Sequence, residues 1–242
     1  MNKIIIGKKS VINALTSEIK LKQIFLCKSK QNHEIIALAK NHNCQFIFWN
    51  EKQFEKYFKD EKVNHQFCIA FVQEPNNLTV DELVAQGKKR LNPIIVILDE
   101  INDPQNFGAI IRTCAAADVL GIIHKKHNQA PQNNLAVKAS MGTNAFLPII
   151  PVTNLVNTIN FLKKNDYWIL VTSTSSNAIP YWKIPKQRSY ALVVGNEANG
   201  VSNLIKKNAD YLITIPIKGK VQSLNVNAAT GIILFDLTKG TE

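Results

Sequence analysis

Cysteine, methionine and tryptophan are sparse in this chain, at four, two and three of 242 residues. The cysteines (Cys27, Cys44, Cys68 and Cys114) are scattered, form no C-x-x-C pair and have no clustered histidines beside them. That spacing supports neither a disulfide framework nor a zinc site, so no metal is expected, and reduced thiols in a cytosol fit best. Long apolar runs are missing too. None approaches the roughly 18 to 20 residues a membrane-spanning helix needs, and the apolar patch in MNKIIIGKKS is too short for a secretory signal. A cytoplasmic protein is the expectation. Acidic residues are in deficit, 18 Asp and Glu against 29 Lys and Arg, leaving a net charge of +11. Such an excess attracts polyanions, of which nucleic acid is the commonest in a cell. The abundance of Lys, Asn and Ile is also what codon bias produces, so charge alone leaves RNA or DNA binding open.

What is present alternates between β-rich runs and helical patterns, and an α/β fold is expected. Residues 4–6, 23–27, 45–49 and 67–72 read as strands, and 9–15, 33–41 and 51–57 as helices, making a small α/β unit over 1–73. The stretch QEPNNLTVDELVAQGKKRLNP carries Pro, Asn-Asn and a charged run; residues 74–92 read as a linker with room for one short helix. A second domain over 93–242 opens on IIVILD, a β-branched run typical of a strand buried on both faces. Further strands are expected at 121–124, 168–172, 191–194 and 211–215, with helices between them and a mostly parallel sheet.

Three segments of this second domain depart from plain α/β filler, each just after an expected strand, where open α/β sheets bind ligands. In LDEINDPQNFGAIIRTCAAADVLG, Asp103-Pro104 predicts a helix start, with Asp as cap and Pro at the first helical position. The helix is apolar or small apart from Arg112 and Thr113, which predicts burial. A guanidinium there must sit in an internal ion pair or face a polar cleft, while Asn106 reads equally well as a surface residue. In ALVVGNEANGVS, Val201 stands where a phosphate-binding loop needs Lys, which excludes ATP or GTP hydrolysis; no G-x-G-x-x-G is present. What remains is a glycine turn that lets backbone approach a ligand, with Glu197 either placed to pair a cation or simply exposed. In IPIKGKVQSLNVNAATGIILF, Val226, Ala229, Ile233 and Leu237 form one stripe that Ala228, Ile232 and Phe235 widen. That breadth predicts burial inside the domain or against a second subunit, and Ser223 and Asn225 are both cap-type residues.

Taken together, NDPQNFGAIIRTCAAADV, LVVGNEANGVS and IPIKGKVQSLNVNAATGIILF resemble the three ordered motifs of the SpoU/TrmH class of the SPOUT superfamily. These enzymes transfer a methyl group from S-adenosylmethionine to a ribose 2′-hydroxyl in RNA. The first domain, through GKKSVINAL and HQFCIAFV, is similar to the ribosomal-protein-like substrate-binding domain of the same family. The resemblance covers nearly the whole chain and points to the two-domain subgroup that methylates a guanosine in large-subunit (23S) ribosomal RNA. Two positions depart from the pattern. Phe67 stands where Gly usually follows His65-Gln66, which bears on RNA docking, and Asn227 where Ser usually follows Asn225-Val226, which keeps hydrogen-bonding capacity.

The resemblance implies a trefoil-knotted catalytic domain, an exception to the rule against knotted chains. It implies an adenine held mainly by backbone around Gly195, Ile215 and Leu224, with Thr172, Ser223 and Asn225 as neighbours. It further implies Arg112 as the central catalytic residue, with Asn106, Glu197, Ser223 and Asn225 around it, and a homodimer whose site draws on both subunits. The competing expectations are a tRNA substrate, or a non-catalytic RNA-binding or ribosome-assembly protein on the same scaffold.

Overall fold

Two separate sheets organise the chain, whose computed structural model describes residues 4–17, 19–58, 63–72, 78–126, 136, 139, 140, 143, 147–196 and 198–239. The first sheet has four strands, β1 (Ile4–Ile6), β2 (Leu21–Cys27), β3 (Phe46–Trp49) and β4 (Cys68–Val72), in the order β1-β4-β2-β3. β4 is antiparallel to both its neighbours, and β2 and β3 are parallel. Because side chains alternate along a strand, each strand feeds two cores. Ile5, Ile24 and Leu26 pack with Val11, Leu15, Ile35 and Ala39 of α1 (Lys8–Leu15) and α2 (His33–Asn41). Ile4, Ile6, Phe25 and Cys27 pack on the opposite face with Phe54 of α3 (Glu51–Tyr57).

The second sheet has seven strands: β5 (Ile94–Asp99), β6 (Gly121–Lys125), β7 (Ile149–Val152), β8 (Trp168–Thr172), β9 (Ile179–Pro180), β10 (Tyr190–Gly195) and β11 (Tyr211–Thr214). Their order is β7-β6-β5-β10-β8-β11-β9 and every pairing is parallel. Helices cover both faces, as a parallel sheet requires. On one side lie α5 (Pro104–Ala116) and α8 (Val226–Leu237), packed on each other and on Val96, Leu98, Leu192 and Val194. On the other side, α4 (Val80–Gly87), α6 (Leu155–Lys163) and α7 (Asn203–Lys207) meet Ile95, Ile97, Val171 and Val193. The short helix expected within 74–92 is α4, started by a Thr79–Glu82 capping box; its Leu83 and Val84 are buried in the core of the second sheet.

The expected strands are present, 168–172 to the residue. β7 and β9 were not anticipated. Both are edge strands carrying a proline, Pro151 or Pro180, which weakens the alternation signal and blunts an edge against further pairing. Burial of α8 inside one chain is not what the structure shows. Thr230, Ile233, Leu234 and Leu237 are buried, but Ile232 and Phe235 are 39% and 50% exposed, because a single helix face suffices to cover the sheet and α5. Nor is α5 buried all round: Gln105, Arg112 and Ala116, which share a stripe, face outward.

Candidate active site

At the carboxyl end of β10 the chain turns back on itself. A Cβ added to Gly195 would lie 2.4 Å from the Gly200 carbonyl carbon and 2.4 Å from the Val201 nitrogen, so this close return needs glycine. Gly200 meets a different demand, φ +66 in open space. The Asn196 side chain organises the turn: its Oδ1 accepts the N–H groups of Ala198 (2.9 Å) and Asn199 (3.2 Å), and its Nδ2 donates to the Glu100 carbonyl (2.9 Å). The far end is tied by the Ser202 N–H donating to Asp99 Oδ2 at 2.9 Å.

Asp99 closes β5 and is 2% exposed. Its Oδ1 lies 3.1 Å from Lys125 Nζ, an ionic contact rather than an aligned hydrogen bond, while Lys125 also donates to Glu100 at 2.8 Å. Burial pulls the Lys125 ammonium toward the neutral form, but its bond to Glu100 and its pairing with the charges of Asp99 and Glu100 outweigh this and hold its pKa above the ordinary value. Neighbouring His124 is held below its ordinary value by burial, against the opposing bond to the Lys125 carbonyl. Glu100 sits at φ +64, a left-handed conformation rare outside glycine. This anchor escaped the sequence reading; the only signal for it was an acidic residue ending a wholly apolar strand.

A cleft of about 770 Å³ opens at the carboxyl ends of β8, β10 and β11, within the range of small-molecule sites. Thr172, Gly195, Ile215, Ser223, Leu224 and Asn225, the six residues expected around a cofactor, all line it. Residues 215–217 and 221–224 lie outside strand and helix, so their amide and carbonyl groups are not committed to a ladder. Hydroxyls from Thr172, Ser173, Thr174, Thr214 and Ser223 supply polar partners, and Lys206 is the only charged side chain among the described lining residues. Glycine close approach, free backbone edges and a row of hydroxyls beside apolar Val194, Ile213 and Ile233 suit a nucleoside-bearing ligand. Lys206, Thr174 and Gln222 had no individual sequence signal, since only the fold brings them to one wall.

The expected catalytic residues divide into four groups. Ser223 and Asn225 are in the cleft. Asn106, in the first turn of α5, is tied to it: Asn225 Nδ2 donates to Asn106 Oδ1 at 2.9 Å, while Asn225 Oδ1 caps α8 by accepting the Asn227 N–H at 2.9 Å. The start of α5 is as expected, with Asp103 accepting the Gln105 N–H at 3.0 Å and Pro at the first helical position. Arg112 does not line the cleft. It faces outward from α5 and, among the described residues, has neither an ion pair nor a hydrogen-bond partner, so the internal ion pair considered for it is not formed there. Glu197 lies outside the described residues.

In the first domain, Phe67 occupies φ +51 directly after Gln66 at φ +52. The backbone thus keeps the left-handed conformation that glycine adopts most easily. His65 Nδ1 accepts the Phe67 N–H at 3.0 Å, Gln66 Oε1 accepts the Lys8 N–H at 3.0 Å, and the Lys30 ammonium lies 5.0 Å from the Phe67 ring centre. Among the described residues no group of three or more His, Cys, Asp or Glu is placed to hold a metal ion. No helix among them is long and apolar enough to cross a membrane.

Comparison with known proteins places these features. Residues 93–235 match the SpoU rRNA Methylase family, and residues 4–78 match the substrate-binding module of RNA 2′-O ribose methyltransferases. An uncharacterised tRNA/rRNA methyltransferase of Mycoplasma genitalium is 39% identical over 236 residues, covering 95% of this chain and 94% of its own length. The AdoMet-bound rRNA methyltransferase of Sinorhizobium meliloti superposes with a TM-score of 0.76 at 27% identity, over 97% of this chain and 85% of that one. The fold alone is shared with AviRb of Streptomyces viridochromogenes, a SpoU methyltransferase in complex with AdoMet: TM-score 0.81, 19% identity, 98% of this chain and 89% of that one.

Proposed function

The chain belongs to the SpoU rRNA Methylase family and is an RNA methyltransferase, and we propose that it methylates a ribose 2′-hydroxyl, using S-adenosylmethionine, on a guanosine of large-subunit ribosomal RNA. The observation that carries this reading is the cleft. It gathers Thr172, Gly195, Ile215, Ser223, Leu224 and Asn225 on one wall system, and through Asn225 it reaches Asn106 on the helix that bears Arg112. The ribosomal guanosine rests on the resemblance to the two-domain subgroup and on the first domain's match to a substrate-binding module.

S-adenosylmethionine bound there supplies a methyl group already activated on a sulfonium. The chain must therefore align the ribose oxygen with that methyl and help the hydroxyl lose its proton. Gly195 and the backbone of 215 and 224 would hold the cofactor's adenine, with Thr172 and Ser223 as neighbours. A guanidinium stays protonated and makes a poor base, so Arg112 acts by stabilising the developing alkoxide while the proton passes to an RNA phosphate. Asn106 and Asn225 orient this centre, and by the family resemblance Glu197 is the residue proposed to pair with Arg112.

The working form is a homodimer. In one chain Arg112 points to solvent away from the cleft, and α8 presents Ile232 and Phe235 with Leu224 (38% exposed) near its start. An apolar stripe of this kind is suited to a second copy, whose approach also brings a cleft to Arg112.

Two measurements test the function. Calorimetric titration with S-adenosylhomocysteine is expected to show one site per chain, and no binding would leave only an RNA-binding protein. Mapping ribose methylation across total RNA, with and without the gene, is expected to show one lost 2′-O mark on a ribosomal guanosine. A lost mark in tRNA, or a lost base methyl, would replace the substrate named here. Arg112→Ala is expected to lower turnover by about a hundredfold or more with cofactor affinity retained; full activity would remove its catalytic role.

A further inference from the structure

The departure at Asn227 has a structural counterpart. Thr113 Oγ1 donates to Asn227 Oδ1 at 2.7 Å in a partly buried contact between α5 and α8. Gly231 of α8 faces the same threonine, and a Cβ added there would meet the Thr113 methyl at 3.4 Å, an ordinary contact distance. Two turns back along α5, the cap residue of α8 makes the 2.9 Å bond from Asn225 to Asn106. Asn106 and Thr113 are seven residues apart, two helical turns, so they share one face of α5. Asn225 and Asn227 are themselves linked, since the Asn227 N–H donates to Asn225 Oδ1. A hydrogen-bonded path thus runs from a cleft-lining residue to both ends of the α5 segment that includes Arg112.

Arg112 adjoins Thr113 and is displaced by one step of about 100° around the helix. With no partner among the described residues, its direction follows the roll of α5, which the buried Phe107, Ile110, Ile111 and Cys114 set against the sheet and the two polar ties hold against α8. We propose that Thr113 and Asn227 are a positioning pair for Arg112, holding α5 against the start of α8 so that the guanidinium meets the reacting ribose oxygen. The inference rests on the catalytic reading of Arg112 and extends it to two residues outside the cleft. A catalytic group misplaced by about 1 Å can cost on the order of a hundredfold in rate, so loss of one of two ties is expected to cost about tenfold.

The test compares Thr113→Val, Thr113→Ser, Asn227→Ala and Arg112→Ala in the full-length protein. Turnover and the KM for S-adenosylmethionine are measured on total RNA from cells lacking the gene, with thermal melts to confirm folding. Val keeps the shape of Thr and loses the hydroxyl, whereas Ser keeps the hydroxyl and loses the methyl group. Positioning predicts that Thr113→Val and Asn227→Ala each lower kcat about tenfold with KM within twofold, that Thr113→Ser stays near wild type, and that the Val/Ala double variant is no worse than the poorer single. Thr113→Val placed in the Arg112→Ala background is expected to cost nothing further. Packing alone predicts the reverse order of Ser and Val, and that order would overturn the proposal, as would additive losses, wild-type kcat in Thr113→Val, or a further tenfold loss in the Arg112→Ala background. Failure of the underlying reading has its own signature, full turnover in Arg112→Ala.

Discussion

Gly195→Ala tests the cleft at its tightest point. The added methyl would meet backbone atoms of residues 200 and 201 at 2.4 to 2.5 Å, whereas ordinary contact begins at 3.4 Å. The turn must therefore retreat by about 1 Å. Retreat is resisted at both ends, by Asn196 bonded to the Glu100 carbonyl and by Ser202 bonded to buried Asp99, each at 2.9 Å. Overpacking against a held neighbour costs about 1–3 kcal/mol. In a chain of this size each kcal/mol lowers Tm by about 2–4 °C, so a drop of roughly 2–12 °C is expected. The same turn walls the cleft, and if the strain is relieved at the expense of the bound state, S-adenosylhomocysteine binds about five- to 150-fold more weakly.

Gly200→Ala is the control, because it meets nothing within 4 Å and is strained only by φ +66. A left-handed residue with a side chain costs about 1–2 kcal/mol, so this variant is expected to lose a few degrees in Tm and less than about threefold in affinity. Calorimetric titration and thermal melts of the three proteins decide the matter. Wild-type affinity and Tm in Gly195→Ala, or equal affinity losses in both variants, would refute the close packing of the turn on Gly195 as the basis of cofactor binding.

Phe235→Asp places a charge on the exposed stripe of α8, and sedimentation is expected to show a dimer for the parent and a monomer for the variant; a variant dimer of undiminished strength would move the interface elsewhere. Asn225→Asp keeps a good helix cap but replaces the donor to Asn106 with a second acceptor, so Tm is expected to hold within about 3 °C while methyl transfer falls at least tenfold. Equal turnover in parent and variant would disconnect that bond from catalysis. His124, held below its ordinary value by burial, stabilises the fold as a neutral ring, fully so above about pH 6.5 and progressively less as pH falls below it. The Tm gap between the parent and His124→Asn should therefore shrink on acidification from pH 7.5 to 5, and a constant gap would contradict the assignment.

Much of the second domain was legible because its signals are local. IIVILD has no polar residue until its last position, and all six positions are buried. Asp103-Pro104 starts a helix by chemistry that needs no distant partner. The prolines of β7 and β9 mask strands that exist only because a neighbour offers an edge. The burial expected around Arg112 failed for a related reason. A helix rich in Ala, Gly and Ile reads as buried all round, yet Gln105, Arg112 and Ala116 form a narrow outward stripe that alanine does nothing to announce. The Asp99–Lys125–Glu100 anchor is non-local as well, since β5 and β6 become neighbours only in the sheet.

The C-terminal motif posed a choice between a helix cap and a ligand loop, and the side-chain chemistry of Asn225 removes the choice. A carboxamide presents an acceptor and a donor on one planar group. The acceptor closes the first turn of α8, the donor bonds Asn106, and the residue still lines the cleft. Serine at this position would offer one short hydroxyl, and aspartate would cap without donating. Capping fixes where α8 begins, and the bond to Asn106 fixes that beginning against α5, so the local demand of the helix and the distant demand of the site are met by the same two atoms. A motif that looks over-determined as a cap is what such a coupling requires: the cap holds the amide still, and only a held amide can transmit the position of the cleft wall to the helix that carries Arg112.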